Sequence, residues 1–577
     1  MVISYKEPLY SPTMNQYVVR LLIRVYRFVM THNYSPMSIS DHNSSWFITS
    51  LMVCWFACVV FLRLDTSARP VENLQWFVLY GGLTVWTGIL MAFAKKLRSS
   101  LLLCLSWNTL RGFYCIGVVQ AVYGLLHYYS SGSFSFDGIG ATGSFDNPAG
   151  YASLLALLFP IGLRWWQKSK GIQKIVTGFA ILICVVAIVL SYSRAGFIAI
   201  LVSAVILVVD FETIASVCRH KMVLAFLLIV GIGMCIALYL LKPESVLGRL
   251  YVWKIAVGMV CDRPFMGYGV DGFERFFMTA QAKFLENHPS SDYALLADNI
   301  KHPFNEFILT MVNHGLLGLF FAIACVVTFA RLSIVSKRWY SKLLLSMLSS
   351  FCTLSMFTYP MHYPFVWLLL IVVVSLLLVD FCPNDISNIF RWCMVLLCLF
   401  VAYHICCRLY DVWRWQSVSE YSHKGYTARL LDDYGCLSRG HLKKNGRFLF
   451  NYAAELNFTG DYDGSLKVLH DCKNWMLDYD VAMLYVDNLC ALRRYDSAMN
   501  YVRLAHNMVP CRFVPCYYAL RIFREKNDGL NAKRVALDIL NKHVKVPSAK
   551  VHWIQCEARN FLVDYCADQG AVNAGKY

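Results

Sequence analysis

The chain has 577 residues, 58% hydrophobic and 15% charged, with a mean hydropathy of +0.48. Soluble domains are about a quarter charged, so a wholly soluble protein is excluded, and the long continuous apolar runs exclude a barrel of short alternating strands. The net charge of +17 sits largely in short loops beside those runs, where topology accounts for it better than nucleic acid does.

Residues 1–45 carry Arg20, Arg24 and Arg27 on an otherwise apolar stretch and read as an amphipathic segment on the cytoplasmic membrane face. A span needs roughly 17 to 25 apolar residues. Eleven candidates follow within 46–408, at 46–63, 74–93, 103–128, 147–164, 173–191, 195–210, 222–241, 303–330, 341–358, 364–381 and 390–407. The third holds Asn108, Arg111 and Gln120. Such groups at membrane depth must face protein or water, and a structural or membrane-edge role is expected for Arg111.

Basic residues follow every second span as far as the eighth: Lys95, Lys96 and Arg98; Arg164, Lys168, Lys170 and Lys174; Arg219 and Lys221; Arg331, Lys337, Arg338 and Lys342. The positive-inside rule makes those ends cytoplasmic. The SYSRAG turn at 191–196, the loop 242–302 and the tail 409–577 are then extracytoplasmic.

In the tail, "GDYDGSLKVL" and "RRYDSAMNYV" align with Tyr462 and Tyr495 33 residues apart, and a third unit is expected over 513–546. Tyr495, Ala498, Ala505 and Pro510 resemble the second helix of a tetratricopeptide repeat. The expected fold class is all-α: a polytopic helical membrane protein with a C-terminal soluble helical-repeat domain. The 22 Cys are irregularly spaced and many lie in apolar runs, so no specific disulfide or zinc knuckle is expected.

The outer loop is richest in candidate chemistry. Arg249, Trp253, Val257 and Val260 recur at helical spacing, as in an amphipathic helix lying on the membrane surface. Gly267, Gly269 and Gly272 spell G-x-G-x-x-G but lack a βαβ unit, so they read as a turn. Arg194, in a very short outer turn, shares a face with Arg249, Arg263 and His302. Guanidinium forks on that face suit a phosphorylated lipid. Asn147 and Asn305 open spans as candidate N-caps, with Pro148 and Pro303 beside them. Tyr359, Pro360, His362 and Tyr363 form a further outer turn with candidate sugar contacts.

Four stretches in order resemble the bacterial O-antigen ligase superfamily: "TGSFDNPAGYASLLALLFP" at 142–160, "LSYSRAGFIAIL" at 190–201, "RLYVWKIAVGMVCDRPFMGYGVDGF" at 249–273 and "ADNIKHPFNEFILTMVNHGLLG" at 297–318. The superfamily joins ligases acting on lipid A core, glycan polymerases and protein O-oligosaccharyltransferases. The resemblance implies a type C glycosyltransferase-like membrane domain in the bacterial inner membrane, its site and tail facing the periplasm. It implies a glycan donor on undecaprenyl pyrophosphate, with no metal, nucleotide or other cofactor. Arg194 and Arg249, with Arg263 as a further candidate, would bind the pyrophosphate. His302 would be the base that takes the acceptor proton, with Asp298 and Glu306 as rivals and Asn305, Asn147 and Tyr359 in support. Phe304 stands where many members carry a second His. The acceptor is open among protein, lipid A core and a growing glycan. Extracytoplasmic helical repeats favour protein Ser/Thr, because such surfaces commonly hold polypeptide. A lipid-linked glycan transporter is the rival class, though the inverted halves it often shows are not apparent.

Overall fold

The computed structural model describes residues 39–62, 74–93, 97–130, 140–209, 243–288, 292–335, 338, 340–381, 387–422 and 427–574. The N-terminal segment up to residue 38, the candidate span 222–241 and the basic residues Lys95, Lys96, Arg219, Lys221 and Lys337 lie outside them. Every regular element among the described residues is helical.

The membrane part comprises α1 (Ile39–Phe61), α2 (Leu74–Phe93), the short α3 (Leu97–Cys104), α4 (Trp107–Ser130), α5 (Pro148–Lys168), α6 (Gly171–Leu190) and α7 (Arg194–Val208). After the outer-loop helices α8 (Pro243–Asp262) and α9 (Gly272–Asn287) come α10 (Glu306–Val335), α11 (Ser341–Phe357), α12 (Pro364–Leu378) and α13 (Asn388–Ser422). Each candidate span among the described residues coincides with one of these helices. Five are long and apolar enough to cross a membrane: Leu74–Ala92, Ser100–Ser130, Gly171–Leu190, Glu306–Val335 and Asn388–Tyr421.

α5 is the central post, buried almost continuously from Gly150 to Gly162. It packs on α4, α6, α7 and α11. The α4–α5 contact is close because small residues alternate with large ones across it: a Cβ on Gly162 would lie 2.3 Å from the Tyr114 ring. α6 instead turns Ile172, Phe179 and Leu182 outward, which is stable only against lipid. Arg111 has the structural role expected of it. Its guanidinium lies between the Trp107 and Trp165 rings (5.8 and 5.4 Å) and donates to Asn108 Oδ1.

The tail does not begin cleanly at residue 409. α13 runs unbroken to Ser422, because Val412, Trp415 and Val418 on its last turns are buried in the tail core. After α14 (Thr427–Leu437) come three helical pairs: α15 (Gly446–Phe458) with α16 (Tyr462–Lys473), α17 (Tyr479–Ala491) with α18 (Tyr495–Met508), and α19 (Val514–Glu525) with α20 (Gly529–Asn541). The first helices start 33 and then 35 residues apart. α21 (Ala549–Ala574) closes the stack. Asn445, Asp461, Asp478 and Asp528 cap α15, α16, α17 and α20 through their side chains. Ala498, Ala505, Ala532 and Ala536 are fully buried, so paired helices approach closely. The described cysteines are free thiols.

The tail packs on the outer loop and shares one core with it. Phe273, Phe277 and Tyr251 are buried in the same cluster as Trp415, Phe448 and Met508. Gln281 Nε2, buried, donates to the Met508 carbonyl at 2.6 Å, and Arg275 stacks 4.4 Å from the Trp475 ring centre.

Candidate active site

The site is built around the turn 359–363, between α11 and α12. A helix leaves its last carbonyls without partners. Arg249 Nη1 donates to the Phe357 carbonyl at the end of α11 (2.9 Å), and Asn305 Nδ2 donates to that of Met356 (3.0 Å). The negative end of the α11 dipole also favours the arginine's charge there. Asn305 is an N-cap as well, its Oδ1 accepting from Phe307 and Ile308 N–H. Glu306, buried at the start of α10, accepts from Met361 N–H at 2.8 Å and pins the turn from below. Asn147 caps α5 through Gly150 N–H, donates to the Tyr359 hydroxyl (2.8 Å) and accepts from Tyr363 (3.0 Å). Residues from the first, third and fourth motifs thus meet on one turn that none of them contains.

His302 lies on this hub. Its ring stacks on Tyr359 at 4.8 Å and 19°, and meets His362 edge-on at 4.8 Å. Trp253 Nε1 donates to the Pro303 carbonyl (2.8 Å), fixing the segment next to the imidazole. Burial pushes the His302 pKa down to about 3, helped by the charges of His362, Arg447 and Lys301. The imidazole is therefore neutral at physiological pH and able to accept a proton.

Phe304 takes a positive φ of 55°. That turns its ring under Arg249 (5.5 Å) and edge-on to Tyr359 (5.7 Å). In place of a second imidazole it supplies an aromatic floor for the arginine. Arg249 is mostly surrounded by protein, and burial lowers its pKa first, with the neighbouring charge of Arg194 next. Arg194 reaches Ser245 Oγ at 3.2 Å. A guanidinium held in a partly dry place beside a second one is suited to receive an anion.

The remaining candidates lie apart from this group. Arg263 is exposed and stacks on Tyr268 (4.7 Å). Asp298 faces the tail, 3.6 Å from Arg512, and its oxygen also takes the Asn299 N–H. The sequence offered His362 as a candidate sugar contact in an outer turn, and gave no sign that its ring meets His302. Among the described residues, no three His, Cys, Asp or Glu side chains group to hold a metal ion.

The third and fourth motifs are also joined through backbone. Tyr268 and Gly269 N–H donate to the carbonyls of Val312 and Asn313, and Leu316 N–H donates to that of Pro264 (2.9, 2.8 and 2.7 Å). Asn313 Oδ1 accepts from Phe273 N–H at 2.9 Å. α10 is broken at Gly315 (φ 66°, ψ −168°) to make this contact. The G-x-G-x-x-G stretch is accordingly a docking turn.

Residues 179–323 match the family model described as O-antigen ligase. This stretch, about a quarter of the chain, is similar to that family. No curated protein matches the chain. The matched stretch takes in the second half of α6, α7, the outer loop and the first part of α10, with Arg194, Arg249 and His302 inside it. Asn147, the turn 359–363 and the tail lie beyond it, yet Asn147 and the turn complete the environment of His302.

Removing only the Tyr359 hydroxyl tests the hub. Tyr359→Phe keeps the stack but strands the Asn147 amide. It is expected to slow transfer by about tenfold, consistent with about 1–3 kcal/mol for a polar group left unpaired. Tyr359→Ala, which also removes the stack, should fall further. Wild-type rates in both variants would mean that the turn does not position His302.

Proposed function

We propose that this protein transfers a preassembled glycan from undecaprenyl pyrophosphate to a Ser or Thr hydroxyl of an acceptor protein, at the periplasmic face of the bacterial inner membrane. The carrying observation is that the buried His302 imidazole and the Arg249 guanidinium meet around one turn at the end of the bundle, with Arg194 near enough for its charge to act on Arg249. His302 takes the acceptor hydroxyl proton as the oxygen bonds to the anomeric carbon. The bond from that carbon to the pyrophosphate oxygen breaks, and its electron pair leaves with the undecaprenyl pyrophosphate. The arginines stabilise the departing charge near low-dielectric lipid, where such contacts act most strongly. The two guanidinium groups supply the positive charge that this anionic leaving group requires. The imidazolium then returns its proton to water.

Protein is the favoured acceptor because the tetratricopeptide-like helical pairs of the tail share a core with the loop that carries His302. The test is reconstitution with a polyprenyl-pyrophosphate glycan, chelator and pooled acceptors. Mass gain on protein supports the reading. Gain on lipid A core or on the glycan alone would replace its acceptor, and donor translocation without bond formation would make the protein a transporter.

Lysine keeps the charge of arginine but loses the fork. Arg194→Lys and Arg249→Lys are each expected to raise the donor KM by about ten- to a hundredfold, from about 1.5–3 kcal/mol per charge-assisted hydrogen bond. An unchanged donor KM in both would remove the pyrophosphate role.

A further inference from the structure

His302 stands in a stretch, 297–305, that takes no regular structure, so no helix of its own holds it. The downstream half of the stretch is tied to the membrane part. The Pro303 carbonyl accepts from Trp253, and Asn305 bonds to the end of α11. The upstream half is tied to the tail. Ala297 is fully buried. The Asp298 carbonyl accepts from Gln281 Nε2 at 3.1 Å, the same amide nitrogen that donates to Met508. The Asp298 carboxylate lies 3.6 Å from Arg512. Asn299 Nδ2 then donates to two tail carboxylates, Asp478 at 3.4 Å and Asp480 at 3.3 Å. Both acceptors are themselves fixed at the start of α17. Asp478 caps the helix through the Val481 N–H, and Arg512 lies 4.3 Å from the Tyr479 ring centre and 4.0 Å from Asp480. An ionised acceptor makes each such hydrogen bond stronger than a neutral pair would.

We propose that Asn299 is a positioning residue for the base: the second helical pair of the tail grips it through Asp478 and Asp480 and so sets where His302 stands beside the turn 359–363. This rests on the reading of His302 as the base. Three residues reach at most about 11 Å, and Pro303 is pinned on the other side, so the backbone at His302 has little slack while both grips hold. Stacking on Tyr359 fixes the plane of the imidazole but lets it slide, which leaves the backbone to fix its place. The tail is thereby a working part of the site.

If the contact only docked the tail, the shared core of loop and tail would absorb its loss and His302 would not respond. In the reconstituted full-length protein, Asn299→Ala is expected to lower kcat by about tenfold and to leave the donor KM within about twofold, as for a base displaced by less than the ~1 Å that costs about a hundredfold. Asn299→Asp sets a third carboxylate against two and falls at least as far. Adding Asp480→Asn to it exchanges amide and carboxylate, so the hydrogen bond re-forms in the opposite direction and activity recovers. Arg494→Met, which breaks an ion pair with Asp463 inside the tail, is the control and stays at the wild-type rate. A wild-type kcat in Asn299→Ala, a donor KM that rises as far as kcat falls, or no recovery on the exchange would each overturn the proposal. A second readout needs no transfer: carbethoxylation of His302, followed by mass spectrometry. Release of the grip frees the ring from Tyr359, so Asn299→Ala should be labelled severalfold faster than wild type. Faster labelling supports the grip even where wild-type protein transfers no glycan, a result that would sink the glycosyltransferase reading alone. Equal labelling overturns the grip.

Discussion

Replacing His302 by Asn is expected to lower glycan transfer by about 10²- to 10⁴-fold, the usual contribution of a positioned general base, while donor binding survives. Asn is close in size and can still pack on Tyr359, so a large loss is chemical rather than structural. The pH dependence makes the assignment sharper. The free enzyme holds His302 at a pKa of about 3, chiefly through burial and then through the charges of His362, Arg447 and Lys301. The ordinary histidine value is about 6.5, so burial favours the neutral form over that whole interval. On this ground kcat/KM, which reports the free enzyme, should not fall on an acid limb near pH 6.5. Donor binding brings pyrophosphate charge beside the ring, which favours the imidazolium and raises its pKa. The acid limb of kcat, which reports the complex, should therefore lie at higher pH than that of kcat/KM. Coincident limbs near pH 6.5 would count against a buried His302 as base. The same shift makes the fold acid-sensitive. Below about pH 6.5 the unfolded chain takes up a proton that the folded chain refuses until about pH 3, so this residue's contribution to stability declines across that window.

Much of this was legible in the chain, and the parts that were not share one cause. Long apolar runs report spans because a helix in lipid must be apolar over its length, and each candidate among the described residues is a helix. The helical pairs of the tail were legible through their repeat, since Ala498 and Ala505 mark the close-packed face. Periodicity, however, reports only that a face exists. On α8 the expected stripe of Arg249, Trp253, Val257 and Val260 is displaced. The buried face is Tyr251, Val252, Ile255, Ala256 and Met259, and Val257 is exposed. The reason is that α8 is covered by α9 and α10, while Arg249 and Trp253 reach the hub through the Phe357 and Pro303 carbonyls. His302 and His362, 60 residues apart in the chain, meet without any local signal. The end of the membrane part has no break to mark it, because α13 changes partner, from α2 to the tail, within one helix. Phe304 is the most instructive case. Its departure from the family pattern threatened the base assignment, and in three dimensions the ring serves Arg249.

Gly315→Ala is expected to be the most damaging substitution far from any reacting atom. A Cβ there would lie 2.1 Å from the Phe265 carbonyl oxygen and 2.3 Å from its carbon, both backbone atoms that cannot rotate aside. The position also requires φ near 66°, a region that costs a residue with a Cβ roughly 1–2 kcal/mol. Overpacking adds typically about 1–3 kcal/mol. Relief means separating the turn 264–269 from α10, which breaks the Tyr268, Gly269 and Leu316 hydrogen bonds together. Both segments lead to the site: α8 ends where the turn begins and carries Arg249, and α10 begins beside Asn305 and His302. Loss of the interlock should thus move Arg249 relative to His302, and a misplacement of about 1 Å can cost about a hundredfold in rate. The expected result is reduced yield of folded protein and, in what folds, transfer lowered by about a hundredfold with donor affinity also weakened. Gly258→Ala on α8, where no atom lies within 4 Å of the added methyl, is the matched control. Wild-type yield and rate in Gly315→Ala would mean that the docking of the glycine turn on α10 does not set the geometry of the site.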